Sequence, residues 1–160
     1  MNKHQIRALN KEDKPWAGRL LRENWGSAIM VTRGKINRAD QLPGFIVIQD
    51  GKPAGLITYD IAGKDCEITS LNSLAEGQGI GSALVDAAKD AAVEAGCVRL
   101  WLITTNDNTA ALRFWQKRDF KLVAVYPDAV EQSRKIKPEI PQIGNDGIPI
   151  RDELELKMVL

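Results

Sequence analysis

Apolar and polar positions change their period several times along this chain, and each change marks an element. Ile6 to Leu9 reads as a short first strand, and Asn10 to Lys14 as a turn. Pro15 then suits a first helical turn, with Trp16, Leu20 and Leu21 at helical spacing and a stop near Asn24 to Gly26. Ser27 to Thr32 is apolar and either extended or irregular, and Arg33 to Pro43 reads as a polar loop. Three extended runs follow at 44–49, 54–61 and 66–72. Asp50-Gly51 between the first two is a strong hairpin signal, so the three form an antiparallel meander.

From Ile80 the period becomes helical. Ile80, Leu84, Ala87, Ala88, Ala91 and Ala95 make an apolar stripe, with Asp86, Lys89, Asp90 and Glu94 on the other face and a stop at Gly96. Val98 to Thr104 is almost continuously apolar, as expected of a central strand covered on both faces. Strand, helix and strand in this length predict a parallel crossover. Thr105 to Asn108 is rich in capping residues and precedes a helix burying Ala111, Phe114 and Trp115. Phe120 to Tyr126 is a further strand, and Leu154 to Leu160 alternates like a closing one. Between them, residues 127–149 carry four prolines and two glycines, with a short helix around Ala129 to Lys135.

At 160 residues this is the length of one domain, read over 1–160 with no internal repeat. A formal net charge of +1 removes the electrostatic case for nucleic acid or an anionic membrane as partner. Two cysteines, Cys66 and Cys97, stand outside any paired motif, so neither a disulfide scaffold nor a zinc site is expected. The polar start Met1 to Gln5 has no secretory apolar core, and no run reaches a membrane span. The expectation is a cytoplasmic protein without a metal.

The chemistry concentrates where the meander delivers the chain to the helix. Gly77, Gly79 and Gly81 alternate between a strand and a helix start, where unpaired N–H groups and the positive dipole end suit a phosphate. A dinucleotide fingerprint would need a third glycine where Ser82 stands, and a nucleotide-hydrolase loop would need a lysine, absent between Lys64 and Lys89. The plain structural alternative is a tight turn with close helix–strand packing.

Gln78-Gly79-Ile80-Gly81-Ser82-Ala83-Leu84 resembles the acetyl-CoA pyrophosphate loop of the GNAT N-acetyltransferase superfamily, whose pattern is [R/Q]-x-x-G-x-[G/A]. A second motif of that family, N-x-x-A followed by an aromatic and then G-F, is matched by Asn108, Ala111, Phe114-Trp115 and Phe120. The resemblance implies an α/β (α+β) fold, a mixed and mostly antiparallel twisted sheet of about six or seven strands flanked by about four helices. It implies acetyl-CoA as co-substrate, and direct attack on it by a primary amine of a small molecule or peptide. A homodimer is left open. The implied cofactor contacts are the loop residues Gln78, Gly79, Ile80, Gly81, Ser82 and Ala83, the backbone around Leu71 to Ser73, Asn108, and Trp115 beside the pantetheine arm.

The departures from the family pattern shape the chemistry. Glu76 occupies the position usually held by Arg or Gln, so the cradle is expected to rely on backbone N–H groups and the helix dipole. Asp119 replaces the glycine before Phe120. Trp115 stands where many members have the tyrosine that protonates the thiolate, and indole has no useful acidity. This motivates an alternative function, an acyl-CoA-binding sensor without transferase activity. For the enzyme, Glu67 is the candidate general base, since some relatives carry a glutamate there and partial burial raises a carboxyl pKa. A salt-bridged strand residue is the plain alternative. Tyr126 is the candidate acid, with water or no dedicated acid as the other options. His4 is the sole histidine, which leaves a Ser–His or Cys–His pair little to work with. Asn108 caps its helix or bonds the cofactor, with Asp107 sharing the cap. Acidic residues Glu131, Glu139, Asp146, Asp152 and Glu153 either attract a cationic amine or belong to a solvated loop face.

Overall fold

The computed structural model describes residues 4–75 and 77–160; Glu76, the departing position of the glycine loop, lies outside the described residues. Two helices and nine strands in alternation with two more helices give the order β1 (His4–Ala8), α1 (Lys14–Trp25), β2 (Ile29–Thr32), β3 (Lys35–Arg38), β4 (Gly44–Gln49), β5 (Lys52–Ala62) and β6 (Asp65–Ser73), then α2 (Ile80–Glu94), β7 (Arg99–Thr105), α3 (Thr109–Gln116), β8 (Lys121–Tyr126), α4 (Ala129–Ile136) and β9 (Glu153–Val159). Seven strands form one sheet in the order β1-β4-β5-β6-β7-β9-β8, and β2-β3 is a separate hairpin. The sheet is antiparallel except at the β6–β7 junction, where α2 makes the expected parallel crossover.

Adjacent residues of β5 show how the two faces are filled. Leu56 is fully buried with Ala17, Leu20 and Leu21 of α1, whereas Ile57 is fully buried with Ile80, Leu84 and Ala88 of α2. Side chains alternate along a strand, so α1 and α2 cover opposite faces. Gly55 permits α2 to sit this close, because a Cβ there would lie 2.6 Å from Ile80 Cγ2 and 3.0 Å from Leu84 Cδ1.

Three expectations are corrected. The 33–43 segment is not a loop: β3 pairs back onto β2, and a 3₁₀ turn at Ala39–Gln41 buries Ala39. Its turn residues Arg33 (φ 52°) and Gly34 (φ 75°) both have positive φ, the requirement of a type I′ hairpin, as do Asp50 (φ 52°) and Gly51 (φ 77°). Arginine is an uncommon first residue there, so Arg33-Gly34 carries no hairpin signal of the Asn-Gly or Asp-Gly kind. In α2 the buried stripe is Ile80, Leu84, Val85, Ala88 and Ala92, while Ala95 is exposed; so many alanines on several faces left its phase ambiguous. In α3 only Trp115 is buried, with Ala111 and Phe114 half-buried. Among the described residues no helix is long and apolar enough to cross a membrane.

Candidate active site

Beyond β6 the chain enters the glycine loop, and its backbone explains the glycines one by one. Gly77 (φ 75°) and Gly79 (φ 74°) are left-handed, and Gly79 is the N-cap of α2. No atom crowds either position, so the requirement there is conformation and not space. The first helical bond runs from Ala83 N–H to Gly79 O (3.0 Å), which leaves the N–H groups of Ile80, Gly81 and Ser82 at the positive end of the dipole. Gly81 has a different reason: a Cβ would stand 3.0 Å from the Phe114 ring. The side chain of Gln78 accepts a hydrogen bond from Gln49.

A cation reaches the start of α2 from outside the loop. Arg118, just past α3, donates to Ser82 Oγ from Nε (2.9 Å) and Nη2 (2.5 Å) and to Phe114 O from Nη1 (2.9 Å). Its guanidinium stacks 3.6 Å from the Phe114 ring centroid. Tertiary packing thus brings a positive charge to the start of α2. Nothing local in the sequence signals it, since Ser82 and Arg118 are far apart in the chain.

The second feature is a parting of the sheet. β6 and β7 are in register at Asp65↔Arg99, Cys66↔Leu100 and Glu67↔Trp101, and beyond that they diverge. A cavity of about 700 Å³ opens between the freed edges, Ile68–Leu71 on one side and Leu102–Thr105 on the other. Leu71 lines it, while Ser73 is exposed and donates to Ala75 O (3.2 Å). From α3, Asn108, Ala111, Phe114 and Trp115 complete this wall. Phe114 faces the cavity and also abuts Gly81, so the glycine loop and the cavity share a side chain.

Asn108 caps α3 by accepting from Ala111 N–H (3.2 Å), which leaves its carboxamide nitrogen available to the cavity. Asp107 does not share the cap. It is buried and accepts from Thr105 Oγ1 (2.6 Å), Asn145 N (3.0 Å) and Asn145 Nδ2 (2.9 Å). Trp115, 6% exposed, is held edge-on between Phe114 (centroids 4.9 Å apart) and Phe120 (5.1 Å). It packs the wall and has no acid–base part to play.

The two sequence-proposed catalytic residues are not brought together. Glu67 is 1% exposed, and its carboxylate accepts from Thr32 Oγ1 (2.7 Å) and Lys35 Nζ (3.4 Å) of the β2–β3 hairpin. The cavity wall begins one residue later, at Ile68. Tyr126 lies outside the wall: its hydroxyl donates to Glu155 Oε1 (2.8 Å), and the Arg33 guanidinium covers its ring at 3.5 Å. The hydrogen bond to Glu155 pushes the phenol pKa up. Cys66 is fully buried and its thiol is pushed up to about 12 by burial, so it is no nucleophile.

Two further groups line the cavity, the acidic candidate Glu153 and Lys137, which no motif marks. Glu153, 3% exposed, receives Arg33 N–H on Oε1 and Ser133 Oγ–H on Oε2, both at 3.3 Å, with the Arg33 guanidinium at 3.8 Å. Burial pushes its pKa above the usual carboxylate value, with the Glu67 charge adding to the rise. The alternation of Glu153-Leu154-Glu155-Leu156 reads as polar side out; α4 and the β2–β3 hairpin cover the end of that polar side. Lys137, at the C-terminal cap of α4, is 7% exposed and its ammonium is pushed down by burial. Of the other acidic candidates, Glu131, Glu139 and Asp146 are exposed, and Asp152 is buried in a bond network with Arg151 and Asp128 N–H.

Residues 4–120 match the acetyltransferase (GNAT) family. Two uncharacterised proteins of Bacillus subtilis (strain 168) are similar to the chain. YdhI is 47% identical over 139 residues, 86% of this chain and 87% of that protein. YxbD is 46% identical over 135 residues, 84% and 85%. Among solved structures, an IAA acetyltransferase from Bacillus cereus ATCC 14579 superposes with a TM-score of 0.75 at 23% identity, covering 99% of this chain and 100% of that one. A Bacillus subtilis acetyltransferase in complex with CoA gives 0.69 at 18% identity, with 99% of each chain covered. At these identities the solved structures establish the fold.

Proposed function

Because the chain belongs to the acetyltransferase (GNAT) family, we propose that it transfers the acetyl group of acetyl-CoA to a primary amine of a small molecule or peptide. The observation that carries this reading is the parting of β6 and β7 beside a glycine-capped helix, with Phe114 forming a wall of both. In this reading residues 1–160 act as one domain in the cytoplasm, where Cys66 and Cys97 stay reduced.

The N–H groups of Ile80 to Ser82, supplemented by Arg118, receive the pyrophosphate. Gln78 and Ala83 flank that contact. The backbone of Leu71 to Ser73, the Asn108 carboxamide and the Trp115 face guide the pantetheine toward the parted strands. The thioester supplies an activated carbonyl and a thiolate leaving group. The amine nitrogen attacks that carbonyl carbon; the C–N bond forms, the C–S bond breaks, and the electron pair leaves with sulfur. Glu153 takes the proton shed by the amine, because its carboxylate faces the cavity and burial raises its affinity for a proton. Glu67 bears on the same site through the β2–β3 hairpin, which bonds both carboxylates. Tyr126 is bonded to Glu155 outside the cavity, so water protonates the thiolate.

Isothermal titration with acetyl-CoA, CoA and desulfo-CoA tests the binding half, and thiol release over a panel of amines tests the transfer half. Failure of all three to bind refutes the reading. Binding without release from any amine supports an acyl-CoA sensor in its place.

A further inference from the structure

Three buried charged residues line the cavity, Asp107, Lys137 and Glu153; Asp107 is bonded to Thr105 and Asn145, which leaves Glu153 and Lys137 as the two of opposite sign open to a ligand. Glu153 is fixed against Ser133, whose hydroxyl donates to Oε2. Lys137 lies one helical turn further along the same face, its N–H donating to Ser133 O (2.8 Å). Four residues of helix place the origins of Ser133 and Lys137 about 6 Å apart along the axis, and Glu153 reaches the Ser133 end from β9. Both side chains line the cavity.

Lys137 is the more informative of the two. An ammonium taken out of water is costly unless a counter-charge or several acceptors meet it. Among the described residues Lys137 Nζ makes no ion pair or side-chain hydrogen bond, and the one charge acting on it is that of Glu139, an exposed residue at the rim of the same cavity. It is also the one lysine among the buried residues of the described structure. The segment that carries it is well anchored: Arg134 donates to Pro141 O (2.8 Å) and Ile150 O (2.5 Å), and Asn106 Oδ1 accepts from Arg151 N and Asp152 N (both 2.9 Å). The wall therefore holds Lys137 along the cavity with little of the residue exposed.

A ligand suited to this pair carries an amine for Glu153 and an anion for Lys137. In an α-amino acid the nitrogen and the carboxyl carbon are about 2.5 Å apart by standard bond lengths. A hydrogen bond of about 2.9 Å at each end extends the span to roughly 8 Å, to be bridged between a carboxylate held at Ser133 and a lysine one turn further along α4. We propose that the acceptor is an amino acid or an amino-acid-like zwitterion, its carboxylate bound by Lys137 and its amine facing Glu153. The proposal rests on the acetyltransferase reading and narrows it. A phosphorylated or neutral amine lacks the planar carboxylate at this distance.

The test is thiol release by the full chain with acetyl-CoA over matched triplets: an amino acid, its carboxamide, and the amine left when the carboxyl is removed. The acid is expected to exceed both partners in kcat/KM by about tenfold or more, the worth of a charge-assisted hydrogen bond in a dry site. In Lys137→Met the acid-to-amide ratio falls toward one, mainly through KM, and Lys137→Arg restores part of it. Thermal unfolding separates this from structural damage: burying Met in place of an unpaired ammonium leaves Tm equal or higher. Equal use of acid and amide by the wild-type chain overturns the proposal, as does a Lys137→Met ratio unchanged from wild type. Release from amides and simple amines alone overturns the proposal and keeps the acetyltransferase reading. Binding of acetyl-CoA with no release from any triplet overturns both.

Discussion

Gly55→Ala offers a measurable link between sheet packing and cofactor binding. The added methyl would sit 2.6 Å from Ile80 Cγ2, 3.0 Å from Leu84 Cδ1 and 3.2 Å from Asn72 O. Carbon atoms in contact normally stand about 3.5–4.0 Å apart, so the overlap is about 1 Å. Ile80 and Leu84 are at most 1% exposed, and Ile80 is branched at Cβ and stiff in its first torsion, so neither side chain swings clear. Relief comes from α2 lifting off β5. Overpacking of this kind costs about 1–3 kcal/mol, and for a chain of this size each kcal/mol lowers Tm by about 2–4 °C. The drop in Tm is therefore about 2–12 °C. Ile80 is also the first residue of α2, so the N–H groups that meet the pyrophosphate move with it. Lengthening those bonds by a sizeable fraction of 1 Å costs about 1–3 kcal/mol of binding, a rise in Kd for CoA of about 5- to 150-fold. Calorimetry of unfolding and of CoA binding reads both effects. Gly63→Ala is the control, because its φ of 63° penalises a side chain while no atom crowds it. It loses stability without losing affinity. If Gly55→Ala lowers Tm but leaves Kd at the wild-type value, the seating of α2 on β5 does not set the cradle and the reasoning fails.

Three further outcomes follow from groups with defined surroundings. Arg118→Met removes the cation bonded to Ser82, so Kd for CoA rises about fivefold, the worth of roughly 1 kcal/mol, and its salt dependence flattens. An unchanged affinity at low and high salt would show that the guanidinium serves Phe114 alone. Glu153 has a native pKa raised above its ordinary 4.5, chiefly by burial, so the native state holds the proton longer than the unfolded chain does. Stability from this group is therefore full below that ordinary value and declines as pH rises through the native pKa. Glu153→Gln should accordingly raise Tm at about pH 8 and lose the advantage near pH 4, while acetyl transfer falls; a lower Tm at both pH values contradicts this. Cys66 and Cys97, both buried, should resist a thiol reagent in the native protein and react together on unfolding; rapid native labelling of Cys66, pushed up to about 12, refutes its placement.

The sequence carried those parts of the fold whose signals are local. Asp50-Gly51 dictated its turn through positive φ, Gly79 its helix cap, and the run from Val98 to Thr104 its central place in the sheet. The site was legible where it is built from backbone: the glycine loop and the Asn108 cap stand where their motifs put them. It was not legible where tertiary packing supplies the group. Arg118 reaches Ser82 only because α3 lies beside the start of α2. Glu153 is open in the sequence between drawing an amine and a solvated face, and Lys137 carries no local signal; α4 and the β2–β3 hairpin decide both by closing over them. Tyr126 sits at a plausible strand end, yet Glu155 on the neighbouring strand captures its hydroxyl. Side-chain destination depends on what packs above a strand, and strand periodicity records only which face is polar.

The short β6–β7 register has a mechanical consequence. Strands β1, β4, β5 and β6 form one antiparallel panel and β7, β9 and β8 another, and between them run three residue pairs. Arg99 rivets this seam, with Asp65 at 3.4 Å on one panel and Glu155 at 3.2 Å on the other. A seam this short is a compliant joint between two stiff plates. Bending it changes the gap at the far end by a lever arm several residues long, while the plates keep their own bonds. Hydrogen exchange should then show two slow-exchanging blocks that open independently, with the amides of Ile68–Leu71 and Leu102–Thr105 exchanging faster than either.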